Sequence, residues 1–176
     1  MKNFKSTLRT VFIAWILGTA ATCIYAQNTT YADDYWLDWK ETEITSFPDF
    51  DLDRAINIEA MPGSRMNWFI DPKTITIDKD SVVRYVVIAT SNTGAQNAMY
   101  EGILCAQNTY KIYARAVGDG GWRAVVNAEW KNLRDAPALS HERMIAQIYM
   151  CENASRPRSV ESVIRRLRTP YASQKP

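Results

Sequence analysis

The run Val82-Val83-Arg84-Tyr85-Val86-Val87-Ile88-Ala89-Thr90 constrains the fold more than any other stretch of this chain. β-Branched and aromatic residues fill it, which suits a pleated, packed surface. Turn chemistry brackets it, with Asp78-Lys79-Asp80-Ser81 before it and residues 91–96, including Gly94, after it. The flanking sequence continues in the same period. Ile56 and Ile58 alternate with polar residues, Pro62-Gly63-Ser64 interrupts, and Asn67-Trp68-Phe69-Ile70 reads as a short strand. Asp71-Pro72 reads as a turn, because proline fixes its own φ and pushes its predecessor out of the helical region. Ile75 and Ile77 then alternate with Thr74, Thr76 and Asp78. Strands are predicted over 98–106 and 110–117. After the turn Gly118-Asp119-Gly120-Gly121 a last strand is predicted over 122–130, with Trp122, Ala124, Val126, Ala128 and Trp130 on one face.

The final third changes period. Ser140 is placed to cap a helix running to about Met150, with Met144, Ile145, Ile148 and Tyr149 on one stripe. Pro157 and Ser159 open a second helix, whose stripe is Val160, Val163, Ile164 and Leu167. Arg165, Arg166 and Arg168 suit its negative dipole end, and Pro170 stops it. Strands joined by short turns and then two helices make an α+β domain, here an antiparallel sheet of about five to six strands followed by two C-terminal helices. The domain is expected over 44–168, after an acidic arm over 27–43 and before a flexible tail over 169–176.

The first 26 residues are of another kind. Lys2, Lys5 and Arg9 are followed by the apolar run Val11-Phe12-Ile13-Ala14-Trp15-Ile16-Leu17, then by small residues and Ile24-Tyr25-Ala26 before Gln27. This is the order of a secretory signal, with cleavage expected after Ala26. The apolar core is short for a spanning helix. Cys23 raises an alternative, lipid attachment in the outer membrane, although Thr22 and Ala20 depart from the usual lipoprotein pattern. The periplasm is the expected destination.

Removing that segment changes the bulk properties. Three of the 21 basic side chains leave with it, so 18 remain against 19 acidic ones and the formal charge moves from +2 to −1. A whole-molecule argument for nucleic-acid binding disappears. Residues 27–80 hold 12 acids and five bases, whereas residues 81–176 hold seven acids and 13 bases. Such asymmetry fits either an interaction tail or an acidic half folded against a basic half. Cys105 and Cys151 become an even pair, expected as a disulfide in an oxidising compartment, with two free buried thiols as the alternative.

Few residues suggest chemistry. Asp49, Asp51 and Asp53 resemble the start of a calcium loop, but Arg54 and Ala60 stand where such a loop needs Gly and Glu. His141 is the single histidine, sits at a predicted helix start without a nucleophile signature, and reads as a surface or capping residue. One His and a paired Cys set do not make a usual zinc site, so no metal and no cofactor is expected. Glu101 and Glu129 are the only carboxylates inside predicted central strands, and a glycosidase would need two at a set separation. The plainer reading pairs them with Arg84, Lys111 or Arg115 across the sheet. Trp36 and Trp39 lie outside the strand region and are the candidate aromatic binding residues. Arg156, Arg158, Arg165, Arg166 and Arg168 form a basic cluster that suits peripheral contact with anionic lipid, or simply a solvated helix end.

One spaced set of residues carries a family resemblance. Asn97-Ala98-Met99-Tyr100-Glu101-Gly102-Ile103-Leu104-Cys105, with Phe69-Ile70-Asp71-Pro72 and Thr74-Ile75 before it, resembles the cryptic neisserial protein-like family of exported bacterial proteins. The likeness continues through Val83-Arg84-Tyr85, Lys111-Ile112-Tyr113-Ala114, Trp122, Glu129-Trp130 and Cys151, over roughly residues 44–168. It implies an envelope protein, carries no catalytic residues, and its second cysteine independently supports the Cys105–Cys151 pair. A looser likeness in pattern is to surface adhesin E-type domains. The resulting expectation is a non-enzymatic binding or structural module for an envelope or extracellular partner; the alternative is a hydrolase acting on envelope glycan through Glu101 and Glu129.

Overall fold

The computed structural model describes residues 38–58, 64–118 and 121–170. The expected signal segment 1–26, arm residues 27–37 and tail residues 171–176 lie outside the described residues. The described chain forms a seven-stranded antiparallel sheet: β1 (Ile56–Asn57), β2 (Met66–Ile77), β3 (Val83–Ser91), β4 (Gln96–Leu104), β5 (Thr109–Val117), β6 (Gly121–Ala124) and β7 (Lys131–Asn132). Strands β1 to β6 lie side by side in chain order, and β7 pairs with β5. Helix α1 (His141–Ile145) runs into a π turn over Ala146–Met150, and α2 (Val160–Arg168) follows. This is the predicted α+β order, with the strand at Ile56 only two residues long and a further two-residue strand at β7.

Each hairpin follows from the turn chemistry between its strands. Gly94 takes φ +85° in the connection between β3 and β4, a conformation without steric cost for glycine. The Ser140 side chain accepts the Arg143 N–H to cap α1, and Ser159 and Ser162 form a reciprocal capping box on α2.

β3 is buried along both faces, and its alternation supplies two cores. Toward the helices, Tyr85, Val87, Met99 and Ile103 pack against Met144, Ile145, Tyr149, Met150, Val163 and Leu167. On the other face, Val86, Ile88, Tyr100 and Tyr113 pack under Phe47, Phe50, Leu52 and Trp122. The alternating acid and apolar residues of 49–53 therefore act as a cover, with Phe50 and Leu52 turned to the sheet. A disulfide joins Cys105, just after β4, to Cys151, just after the π turn, with Cα atoms 5.6 Å apart.

Two strand expectations are corrected. Asp71-Pro72 is not a turn; it lies inside β2, where the register against β3 shifts between Asp71 and Thr76. Proline has no N–H for a ladder, so the strand bulges there. Side chains make good the loss: Thr74 Oγ1 donates to the Asp71 carbonyl and accepts the Val86 N–H, at 2.7 and 2.8 Å. The predicted last strand over 122–130 stops at Ala124. The Val125 N–H still bonds the Tyr113 carbonyl, and Asn127 then takes φ +52°, a left-handed conformation that asparagine tolerates.

Candidate functional site

A concavity on the sheet follows from how the two layers overlap. Side chains at cross-strand neighbours share a sheet face. Trp68 pairs with Ala89, Ala89 with Asn97, Met99 with Arg115, and Arg115 with Arg123. The face on which Met99 lies also carries the helices, yet the helical core draws on only part of it. The uncovered remainder is an open cleft of about 680 Å³ lined by Met66, Trp68, Met99, Val117 and Val125, with Arg115 and Arg123 on its wall. That volume falls in the range of small-molecule sites, which are mostly apolar with a few placed polar groups.

A buried polar cluster borders the cleft. The His141 ring, at the start of α1, stacks on the Trp68 indole with centroids 4.4 Å apart and planes 19° apart. Its Nε2 lies 2.8 Å from Glu101 Oε1, and its Nδ1 lies 3.5 Å from Glu142 Oε2. The Tyr85 hydroxyl donates to the other Glu101 oxygen at 3.1 Å. The His141 and Glu101 side chains are 12% and 1% exposed, so solvent does little to screen the pair. An imidazole facing a carboxylate at each ring nitrogen is best satisfied when both nitrogens carry protons. Burial opposes that charge, but attraction and hydrogen bonding from Glu101, with help from Glu142, raise the His141 pKa. Burial together with Glu101 also pushes the Tyr85 hydroxyl well above its ordinary value, which keeps it a donor.

Glu101, His141 and Glu142 each place one possible ligand atom within 4.8 Å of the others. The two ring nitrogens face the two carboxylates from opposite edges, however, and Tyr85 occupies Glu101's second oxygen. The geometry holds a proton between helix and sheet. A pH consequence follows. The folded-state pKa of His141 is raised, so its stabilisation is complete below the ordinary value of 6.5 and is lost as pH rises through the higher folded-state value. Urea midpoints of the parent and of His141→Gln should therefore differ most below about pH 6.5 and converge on the alkaline side. A constant difference across that range would refute the charged role.

The opposite face has its own ion network. Arg84 is 2% exposed and bonds both oxygens of Asp80, which is 1% exposed, and also Asp78. Glu41 lies 3.8 Å from Arg84, pairs with Lys111 at 2.8 Å, and accepts the Tyr113 hydroxyl at 2.7 Å. These contacts tie Glu41 and its neighbours to the sheet, and within the described residues they set Glu41, Asp78 and Asp80 of the acidic half against Arg84 and Lys111 of the basic half.

The residues singled out in the sequence separate in space. Glu101 is buried and paired, not with Arg84, Lys111 or Arg115 but with His141 and Tyr85. Glu129 lies beyond the end of β6, exposed, on a smaller cleft with Tyr110, Ile112 and Val126; Glu101 is not among the residues lining it. His141 is a buried bridge and not a surface residue, because the helix start it occupies packs directly on the sheet. Trp36 lies outside the described residues. Trp39 is half-buried: its Nε1 donates to the Asp80 carbonyl at 2.8 Å, and its ring meets Trp130 edge-on. Arg156, Arg158, Arg165 and Arg168 are exposed, whereas Arg166 is half-buried and donates to the Cys151 carbonyl at 3.1 Å.

Sequence reasoning did not single out Arg115 and Arg123. A signal existed: closing a hairpin on the Gly118–Gly121 turn pairs Val117 with Gly121, and two residues further along each strand it pairs Arg115 with Arg123.

A seven-stranded antiparallel sheet with one helical layer, clamped by one disulfide, defines the chain as an α+β domain. Residues 34–168 match the model of the CNP1-like family, and the chain belongs to that family. No curated protein and no solved structure matches it.

Proposed function

We propose that this chain is exported, cleaved to begin at Gln27, and works in the bacterial envelope as a non-enzymatic binding module whose ligand site is the open cleft on the helical face of the sheet. The observation that carries the reading is the cleft itself: Met66, Trp68, Met99, Val117 and Val125 leave apolar surface facing solvent, in a concavity of about 680 Å³. Apolar surface gathered in one concavity is a marker of binding. The absence of catalysis is supported by Glu101, whose two oxygens are engaged by Tyr85 and His141. Glycoside hydrolysis needs a second carboxylate facing it across a sugar, and Glu129 lies exposed on a different cleft. Export is supported by the order of charge, apolar run and small residues over 2–26, and by the disulfide, which persists in oxidising compartments.

Two measurements test this. Intact mass of the protein recovered from a bacterial host should correspond to a chain starting at Gln27 with one disulfide. A diacylated start at Cys23 would replace the soluble form by a tethered one, and an uncut chain would overturn cleavage. For the cleft, the neutral solvatochromic dye Nile red should bind the mature protein and fail to bind Asn97→Trp. Asn97 is exposed on β4, lines the cleft and shares the face of Ala89 and Met99, so an indole there fills the space without entering the core. Equal binding to both proteins, or to neither, would overturn the cleft as the ligand site.

A further inference from the structure

We propose that the cleft takes an amphiphile with an oxyanion head group, its apolar chain lying along Met66, Trp68 and Met99 and its head held between Arg115 and Arg123. This rests on the reading of the cleft as a ligand site and names the ligand class. The argument begins with a local conflict. Arg115 and Arg123 are direct cross-strand partners on β5 and β6, and both line the cleft. Like charges directly opposite one another in a sheet are destabilising. Neither guanidinium has a carboxylate within ion-pair distance among the described residues, although the chain satisfies Arg54, Arg84 and Lys111 with acids. Among the described residues the Arg115 guanidinium makes one hydrogen bond, to the Met99 sulfur at 3.0 Å, a weak acceptor that leaves most of the fork unused.

His141 borders the same cleft, its ring stacked on Trp68, but Glu101 and Glu142 balance its charge, so the head group falls to the two arginines. Two guanidinium forks side by side match the oxygens of a carboxylate or a phosphate, with charge-assisted hydrogen bonds. Apart from the Asn97 amide, the rest of the wall has little to offer a polar ligand: Met66, Trp68, Met99, Val117 and Val125 present sulfur, ring and methyl surface. Methionine thioethers adapt to chains of differing shape. A small hydrophilic anion would leave this surface wet, and a neutral hydrocarbon would leave the two arginines in conflict. An apolar chain ending in an oxyanion satisfies both.

The test uses mature protein and monomeric dodecanoate and dodecyl phosphate, below their aggregation concentrations, with dodecanol as the neutral control. Both anions should displace Nile red at concentrations on the order of tenfold below dodecanol, since each tenfold corresponds to one good charge-assisted contact. The advantage should shrink as salt is raised. Arg115→Gln combined with Arg123→Gln should abolish the advantage over dodecanol while Nile red still binds. The same double variant should be at least as stable in urea as the parent, because it removes like-charge repulsion from an exposed pair. Equal displacement by the anions and dodecanol would overturn the oxyanion inference and leave the cleft as an apolar site. Failure of Nile red to distinguish the parent from Asn97→Trp would overturn the cleft itself. Dodecanoate and dodecyl phosphate report separately which head group is preferred. Binding seen only to anionic vesicles, with none to either monomer, would overturn the proposal in favour of a membrane surface contact.

Discussion

Replacing Asp80 with Asn is expected to lower the unfolding free energy of the domain by roughly 3–5 kcal/mol, the cost of leaving one partner of a buried ion pair unmatched. Arg84 lies in the central strand β3 and is 2% exposed, and Asp80 in the preceding turn is 1% exposed. Burial works against the Asp80 carboxylate, but the Arg84 guanidinium and the N–H groups of Thr42 and Val82 overcome it and hold its pKa below the ordinary value. Losing the charge therefore leaves the buried guanidinium with only the more exposed carboxylates of Asp78 and Glu41, and weakens the grip on Thr42. Asp78 provides the control. It also bonds Arg84, at 2.9 Å, but it is 41% exposed, so Asp78→Asn should cost no more than about 1 kcal/mol. Chemical denaturation of the two variants is the measurement; equal small losses would sink the argument. The pH dependence has a definite sign. The contribution of Asp80 is present above its ordinary pKa of 3.8 and is lost as pH falls through the lower folded value, so Asp80→Asn should flatten the acid limb of the stability profile.

Removing the disulfide is expected to cost about as much by a different route. Cys105 and Cys151 are 46 residues apart in the chain, and the chain-entropy account gives roughly 4 kcal/mol for a loop of that length. The effect lies mostly in the unfolded state, which the cross-link keeps compact. Cys105→Ala with Cys151→Ala should therefore lower the urea midpoint and also raise the dependence on urea, because the freed denatured chain exposes more surface. The folded state loses something too, since the bond ties the end of β4 to the end of the helical turn that packs beneath it. Domains of this size have only about 5–15 kcal/mol of stability in total. Either change should leave a marginal protein, and the two together should prevent folding at growth temperature. A double cysteine variant as stable as the parent, with an unchanged urea dependence, would refute this account.

The strands β3, β4 and β5 and both helices were legible because each depends on local chemistry. Val82 to Thr90 can be read as a strand from its own side chains, and Ser159 can be read as a cap because a cap needs only the next three residues. Asp71-Pro72 misled because the same dipeptide serves a turn and a bulge. What decided between them was Thr74, whose hydroxyl bonds the Asp71 carbonyl and the Val86 N–H at once, an interaction made only after β2 and β3 are paired. Glu101 stood out in the sequence as a carboxylate within an apolar strand, and that was correct. Its partner was not legible. His141 lies 40 residues away, on an element whose docking angle no periodicity encodes.

The sequence by itself therefore determined the order of elements, the cysteine pair, the family pattern and the segment read as an export signal. Each of these is written in neighbouring residues or in residue type. Tertiary structure alone decided that His141 bridges Glu101 and Glu142, that Trp39 docks on the turn holding Asp80, and that the helices cover only part of one sheet face. The physical reason is the same in all three. Periodicity says which side of an element is apolar, but how far one layer slides over another depends on the packing of every side chain between them. The cleft between Trp68, Met99, Arg115 and Arg123 is what that overlap leaves open.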